Sequence, residues 1–462
     1  PPMTPVRFGT DGIRGVAGET ITEEIAAALG RALGARYPGG TILIGRDTRK
    51  SGEPLAAALA AGIAGGGARP VDVGVIPTSG LAIITAGDES IARAVAVTAS
   101  HNPAEYNGLK VIGRNGRKIA DDEERALERE IERVLASGGV DAPLRTGGNG
   151  ATVLVPPASS SEEYRQRYIG LLAAAAGDVA ARGSVKLRVV VDAAHGAGAP
   201  YALDALARTG ALVVPFAMGD GDINDSVGAT APAALASEVV RIGADLGIAL
   251  DGDADRCVAV DENGAIVDGD VLIALIALDR RARGLAGSDR VVATVLTNTG
   301  VERALAAAGI LLTRTPVGDR HIAEALEGAT VGFGGEKSGH LLFAERAPTG
   351  DGLLSAIAVM ALIARSGRSL SSLAAEIALD PQIQAAVRVP EGNAEQLLAE
   401  PALIAAIRSA SDSLKSGGGR LIVRASGTEP LLRVMAEGPD AERVRRAVDD
   451  VTAAAEALLG GR

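Results

Sequence analysis

The segment Thr41-Ile-Leu-Ile-Gly-Arg-Asp47 is a short apolar run that ends in two charges. An Ala/Leu-rich stretch near 53–64 follows, then Gly67, then a second apolar run at Pro70-Val-Asp-Val73. Strand, polar turn, helix, glycine and strand make a βαβ unit, and continuous apolar strands of this kind are covered on both faces. The same order recurs twice. Leu187-Arg-Val-Val-Val-Asp192 leads to a helix near 200–208, Gly210 and Ala211-Leu-Val-Val214. Arg290-Val-Val-Ala-Thr-Val-Leu296 leads to a helix near 301–308, Gly309 and Ile310-Leu-Leu-Thr313. Three copies predict three related α/β domains.

The C-terminal stretch has another pattern. Arg420-Leu-Ile-Val-Arg424 and Leu431-Leu-Arg-Val-Met-Ala436 read as two strands around a Gly-containing loop, with a mixed-charge helix at about 440–459. This predicts a small α+β domain. Segments 137–161, rich in Gly, Pro and Ser, and 367–372 are candidate linkers. The expected domains are 1–150, 151–252, 253–370 and 371–462.

Composition narrows the function. A chain of 462 residues is long enough for two to four domains. Aromatics are only 2% and Trp is absent, so the cores are built from Ala, Val, Leu and Ile, and stacking platforms for single-stranded nucleic acid are excluded. Lys+Arg 46 against Asp+Glu 57 gives a net charge of −11, which argues against nucleic acid and anionic membrane as partners. The single cysteine, Cys257, excludes a disulfide framework and a Cys-rich metal site. The start of the chain lacks a signal-peptide core, and apolar runs such as Leu353–Ala364 are too short to span a bilayer. A soluble, cytoplasmic protein is expected. Sixty glycines point to Gly-rich turns, and the four histidines (101, 195, 321, 340) are all read in Gly- or polar-rich turns, which favours loops built for chemistry.

Four polar loops stand out. Thr98-Ala-Ser-His-Asn-Pro103 follows the strand-like Ala94–Val97. It lacks the glycines of a nucleophile elbow, so Ser100 reads either as a phosphoryl carrier or as the cap of an Asn-Pro turn. Asp251-Gly-Asp-Ala-Asp-Arg256 places three carboxylates at alternate positions, which repel unless a hard cation such as Mg²⁺ or Ca²⁺ is bound. An EF-hand is rejected because Arg256 occupies the required Gly position and the flanks are strands. Gly334-Gly-Glu-Lys-Ser-Gly-His340 presents polar side chains suited to sugar hydroxyls, or is an ordinary polar turn; it is not a Walker A loop. Arg424-Ala-Ser-Gly-Thr-Glu-Pro430, with Arg433 nearby, is a phosphate cradle or a plain interstrand turn. Gly196-Ala-Gly198 lacks the third glycine of a dinucleotide fingerprint and reads as a tight strand-to-helix turn.

Taken in order, Phe8–Gly15, Thr98–Pro103, Asp251–Arg256, Gly335–His340 and Arg424–Pro430 resemble the α-D-phosphohexomutase superfamily over essentially the whole chain. The Phe8–Gly15 opening, Asn224–Thr230, Val317–Arg320 and Thr349–Gly352 are most similar to the bacterial phosphoglucosamine mutases. The resemblance implies three similar α/β domains with mixed sheets and a C-terminal α+β domain around a central active-site cleft. It implies the interconversion of glucosamine 6-phosphate and glucosamine 1-phosphate through a phosphoserine and a 1,6-bisphosphate, feeding UDP-N-acetylglucosamine and peptidoglycan precursors. Phosphomannomutase/phosphoglucomutase is the alternative within the superfamily, and a metal-dependent sugar phosphatase the alternative outside it.

By the same resemblance, Ser100 carries the phosphoryl group and shares Mg²⁺ with Asp251, Asp253 and Asp255. Glu336 and Ser338 bind sugar hydroxyls. Arg424, Ser426, Gly427, Thr428 and Arg433 grip the non-reacting phosphate, on a domain expected to close over the substrate. Arg14, His101, Lys110 and Arg256 line the reacting phosphate, with Lys110 and His340 candidates for proton handling. A hexose 1,6-bisphosphate is the implied activator, and homodimerisation is left open. Two positions depart from the family. Ala254 replaces a frequent Gly, with little effect expected because alternation points it away from the metal. Lys337 replaces the more usual Gln, and Lys at this position also occurs in mutases of other specificity.

Overall fold

A computed structural model describes residues 6–9, 12–137, 158–180, 186–327, 332–390, 393–426 and 430–460. The chain divides into two compact units. One comprises residues 1–295 and 312–376, the other 296–311 and 377–462.

The first sheet is built from β1 (Ile13–Val16), β2 (Thr41–Arg46), β3 (Arg69–Val75), β4 (Ile91–Val97) and β5 (Tyr106–Ile112), in the order β1-β5-β4-β2-β3. β2 runs parallel to β3 and β4, whereas β5 is antiparallel to β4 and β1. The second sheet, β6 (Arg188–Asp192), β7 (Leu212–Phe216), β8 (Leu246–Leu250), β9 (Cys257–Asp261) and β10 (Ile266–Val267), repeats this plan as β10-β9-β8-β6-β7. The third contains β11 (Arg290–Thr294), β12 (Leu311–Thr315), β13 (Phe333–Gly335) and β14 (Leu341–Phe343) in the order β12-β11-β13-β14. It keeps the plan without the outer strand.

The three βαβ copies are therefore three equivalent sheets of mixed direction. The expected boundary at 252/253 is corrected by the second sheet. That position lies between β8 and β9, which are hydrogen-bonded neighbours, and the sheet continues to Val267.

Helices cover the sheets. In the first domain these are α1 (Glu23–Arg36), α2 (Gly52–Gly66), α3 (Thr78–Ala86) and α4 (Asp121–Ala136). Leu29, Leu33, Leu59, Ile63, Leu127 and Ile131 from three of them join Ile42, Ile44, Val95 and Val97 in one core. Part of the glycine content is explained here rather than in turns. A Cβ on Gly30 would lie 2.3 Å from the Leu59 carbonyl oxygen, and one on Gly62 2.1 Å from that of Ala27, so α1 and α2 touch backbone to backbone. The second domain adds α5 (Ala158–Ala180), α6 (Ala199–Ala207) and α7 (Ala233–Ile242), with Leu235 and Val239 of α7 packed on Val190, Ala249 and Val260.

The third domain adds α8 (Gly269–Ala282), α9 (Thr299–Ala307), α10 (Asp319–Ala325), α11 (Gly352–Ser366) and α12 (Leu370–Ala374). Ile322 and Leu326 close a small core with Val292 and Leu342. The helix of the third copy, α9, belongs to the C-terminal unit. Thr299 and Arg303 bond Asp380 at 2.6 and 2.7 Å, and the Thr299 N–H donates to Glu437.

The C-terminal unit is completed by α13 (Ala394–Leu398), α14 (Pro401–Lys415), α15 (Ala441–Gly460) and the sheet β15 (Gln382–Arg388), β16 (Arg420–Ala425), β17 (Leu431–Glu437), ordered β15-β17-β16. β15 and α14 were not read from the sequence. One sheet face sends Val387, Leu432 and Val434 into a core with Leu403, Leu414, Val444 and Val451. No helix among the described residues is long and apolar enough to cross a membrane.

Candidate active site

Equivalent hairpins of the three sheets carry the three polar loops of the larger unit. In each, a strand parallel to the central one turns back into an antiparallel neighbour: β4 to β5 for the Ser100 loop, β8 to β9 for the aspartates, β13 to β14 for Glu336–His340. Loops at the carboxyl ends of parallel strands are the usual place for ligands in such sheets.

Ser100 is 1% exposed and takes a left-handed backbone at φ 51, a strained position for a non-glycine residue. Its Oγ donates to Asp251 Oδ2 at 2.8 Å, and His101 Nδ1 stands 3.4 Å away. The loop is held from below by a residue that the sequence reading missed. The buried Arg49 guanidinium donates to the carbonyls of Ser100 (3.0 Å), Asn102 (2.7 Å), Tyr106 (2.8 Å) and Pro103, while its Nε donates to Asp47 at 3.0 Å. Asn224 Nδ2 also donates to the Ser100 carbonyl, at 2.8 Å. The available signal was Asp47-Thr-Arg49, a charged pair directly after a continuous apolar strand.

Asp251, Asp253 and Asp255 offer carboxylate oxygens that all lie within 4.8 Å of one another. Asp253 Oδ1 and Asp255 Oδ1 are buried without a hydrogen-bond partner. Burial pushes the Asp251 carboxyl well above the usual range, and the charges of Asp255 and Asp253 push it further. Burial opposes ionisation of Asp253 too, but Lys110 at 2.8 Å and Thr78 at 2.7 Å hold that carboxyl well below the usual range. Orphaned buried oxygens in an all-oxygen set fit a divalent cation. Ala254, at the tip of the loop, has φ 56. Its cost lies in the backbone, about 1–2 kcal/mol for an L-residue in the left-handed region, and not in the side-chain direction considered from the sequence.

Cations surround this cluster. Arg256 Nε lies 3.9 and 3.8 Å from Asp251 and Asp255, and its backbone N–H donates to Asp251 Oδ1. Arg14 reaches from β1 to the Ala99 carbonyl. Burial, with Arg256 and Arg14 nearby, pushes the His101 imidazole down to about 4 and keeps it neutral. Burial would also lower His340, but Asp255, Asp319 and Glu336 lift it to about 9. Against that lift, the Gly350 N–H donates to His340 Nε2 at 3.1 Å, which needs a lone pair there and leaves Nδ1 facing Asp255 at 3.7 Å. A cation held by the aspartates would offset the Asp255 charge and favour the neutral ring. His195 and His321 lie elsewhere. His195 receives the N–H groups of Gly219 and Gly221, and His321 sits in α10 rather than in a turn.

In the third loop Glu336 Oε1 accepts the Gly318 N–H at 3.0 Å, and Ser338 Oγ is buried without a partner. Lys337 points elsewhere: its ammonium is 3.6 Å from Asp268 and 3.7 Å from Asp270 at the start of α8.

In the C-terminal unit Arg424 and Arg433 face each other directly across β16 and β17. With Gln384 and Ala386 they line a groove of about 170 Å³. Like charges directly opposite destabilise a sheet, an arrangement that an anion relieves. The Ser426 N–H closes the hairpin to the Leu431 carbonyl at 2.8 Å. Gly427 and Thr428, also expected here, lie outside the described residues.

This geometry agrees with what the sequence matches. Four consecutive domains of the phosphoglucomutase/phosphomannomutase type are found: alpha/beta/alpha domain I over residues 5–137, domain II over 166–264, domain III over 268–379 and the C-terminal domain over 385–454. The chain belongs to the phosphoglucomutase/phosphomannomutase family. Among its relatives, the phosphoglucosamine mutase of Symbiobacterium thermophilum is 42% identical over 450 residues, 96% of this chain and 97% of that one. The phosphoglucosamine mutase of Rubrobacter xylanophilus is 42% identical over 458 residues, covering 98% of each. A solved phosphoglucomutase/phosphomannomutase family protein from Burkholderia thailandensis has the same fold, with a TM-score of 0.76, 22% identity and 98% of each chain covered. Within the family, the expected four-domain α/β architecture holds, and a divalent metal fits the aspartate loop.

Proposed function

We propose that the protein is a phosphoglucosamine mutase, an isomerase that interconverts glucosamine 6-phosphate and glucosamine 1-phosphate and feeds UDP-N-acetylglucosamine synthesis. The reading is carried by one contact, the Ser100 hydroxyl held at 2.8 Å on the first of three clustered aspartates. Full-length relatives named phosphoglucosamine mutase support it.

Phospho-Ser100 hands its phosphoryl group to a sugar hydroxyl. The Oγ–P bond breaks, a P–O bond to the sugar forms, and the hydroxyl proton leaves to a neighbouring base. The 1,6-bisphosphate turns over, and its other phosphoryl group returns to Ser100 by the reverse steps. Asp251, Asp253 and Asp255 would hold Mg²⁺, which neutralises charge on the phosphoryl oxygens when bound. Phosphoryl transfer otherwise needs positioning and charge compensation. Arg49 and Asn224 fix the Ser100 loop, while Arg14 and Arg256 supply positive charge. Lys110 is engaged with Asp253 and fits charge neutralisation better than proton abstraction. Neutral His101, beside Ser100 Oγ, is the candidate to take a proton. Glu336 and Ser338 meet the sugar hydroxyls. Arg424, Ser426 and Arg433 give the C-terminal unit its own phosphate site.

The test is turnover of glucosamine 1-phosphate, glucose 1-phosphate and mannose 1-phosphate with Mg²⁺ and a trace of the matching bisphosphate, followed by ³¹P NMR. Preference for the amino sugar supports the reading. Preference for glucose or mannose makes the protein a phosphoglucomutase or phosphomannomutase, and free phosphate without isomer makes it a phosphatase.

A further inference from the structure

The motif Val317-Gly-Asp-Arg320 has no role in the mechanism above, yet it opens onto the sugar loop. Gly318 caps the start of α10 with φ 127, and its N–H donates to Glu336 Oε1 at 3.0 Å. That bond fixes the first turn of α10 against the loop that also carries Ser338. Asp319, the next residue, is half-buried. It lines a cleft of about 500 Å³ together with Thr78, Lys110 and Thr349. Thr78 and Lys110 both bond Asp253, and Thr349 lies 3.5 Å from His340 Nε2, so the cleft runs from the side chains that contact Asp253 to Asp319.

The cleft is lined by cations as well as acids, but its cations are engaged with carboxylates: Arg93 with Glu123, Lys110 with Asp253, Arg117 with Glu327 and Lys118 with Glu124. Arg320, the neighbour of Asp319, pairs with Asp121 and with Glu324 at 2.8 Å. Lys337, the cation of the sugar loop, is drawn to Asp268 and Asp270. Burial raises the Glu336 carboxyl and the charge of Asp319 adds to that, while His340 and Arg256 act against it. Two carboxylates thus border the sugar loop, and the two nearest cations in sequence are directed to other acids.

We propose that Asp319 selects a 2-amino sugar phosphate, its carboxylate receiving the substrate ammonium beside Glu336. This deepens the phosphoglucosamine mutase reading and rests on it. An aliphatic amine with the acidity of an α-amino group carries a positive charge in most molecules near neutral pH. It compensates the paired carboxylates and donates to them. A 2-hydroxyl in its place supplies no charge and leaves the two acids with less compensation, the kind of mismatch that gives discrimination. The ammonium is present in ground and transition states alike, so its recognition belongs mainly to KM.

The experiment compares kcat and KM for glucosamine 1-phosphate and glucose 1-phosphate in the wild type, Asp319→Asn and Asp319→Glu. The wild type should favour the amino sugar. Asp319→Asn should lower the amino-to-gluco ratio of kcat/KM by about tenfold to a hundredfold, the range for a lost charged hydrogen bond, chiefly through KM. Asp319→Glu, which keeps the charge, should restore most of the ratio. A wild type that favours the amino sugar with an unchanged ratio in Asp319→Asn overturns the assignment of Asp319 alone. A wild type without that preference overturns the phosphoglucosamine mutase reading, and this inference with it.

Discussion

Ser100 Oγ donates to Asp251 Oδ2 across 2.8 Å, joining the β4–β5 loop of the first sheet to the β8–β9 loop of the second. The approach extends to the backbone. A Cβ on Gly252 would stand 2.5 Å from the Ser100 carbonyl oxygen and 2.7 Å from Asn224 Nδ2. Gly252→Ala should therefore cost about 1–3 kcal/mol of stability, as overpacking of a close contact does. It should also lower turnover at temperatures where the protein remains folded. Thermal unfolding and turnover measured on the same preparation check both.

The aspartate loop should depend on its cation. Chelation should remove mutase activity, and Mg²⁺ should restore it. At a hundred times its Kd the metal should add about 2.7 kcal/mol to stability, the linkage expected for a ligand that binds only the folded chain. Thermal melts with and without Mg²⁺ read the shift, and Asp253→Asn should abolish it.

Arg424 and Arg433 oppose each other across β16 and β17. Arg424→Met should raise KM about tenfold or more, because a charged hydrogen bond to phosphate is lost. The same change should alter the stability of the ligand-free protein by no more than about 1 kcal/mol, the range for a cross-strand pair. Steady-state kinetics and chemical denaturation separate the two effects.

Lys337 stands in the sugar loop but turns to Asp268 and Asp270. Lys337→Gln should leave the preference between glucosamine and glucose phosphates within about twofold. It should cost about 1–3 kcal/mol of stability, because Asp270 is fully buried and loses its neighbouring cation. Competition between the two substrates in one tube checks the preference.

The three-domain plan was legible because apolar strands, helices and glycines alternate on a local period. The domain boundary at 252/253 was misplaced because the aspartate loop looks like a break in the sequence. It is a hairpin between paired strands, β8 and β9, and pairing is set by partners far along the chain. β15 escaped notice because Gln382–Arg388 is only half-buried and mixes polar with apolar residues. The clustering of Asp251, Asp253 and Asp255 was legible, since carboxylates at alternate positions of one turn already suit a cation, and their oxygens lie within 4.8 Å of one another. Arg49 was not, because its role is four carbonyls 51 to 57 residues away. The direction of Lys337 was hidden for the same reason: Asp268 and Asp270 reach it only through the fold.

The central claim is that Ser100 carries the phosphoryl group. The most direct measurement is intact mass and site mapping after incubation with glucosamine 1,6-bisphosphate and Mg²⁺, followed by a chase with unlabelled glucosamine 6-phosphate. The account predicts one phosphoryl group per chain, on Ser100, lost to the sugar phosphate in the chase and absent in Ser100→Ala, which also loses multiple turnover. Phosphoryl transfer to another residue, or normal turnover by Ser100→Ala, would contradict it.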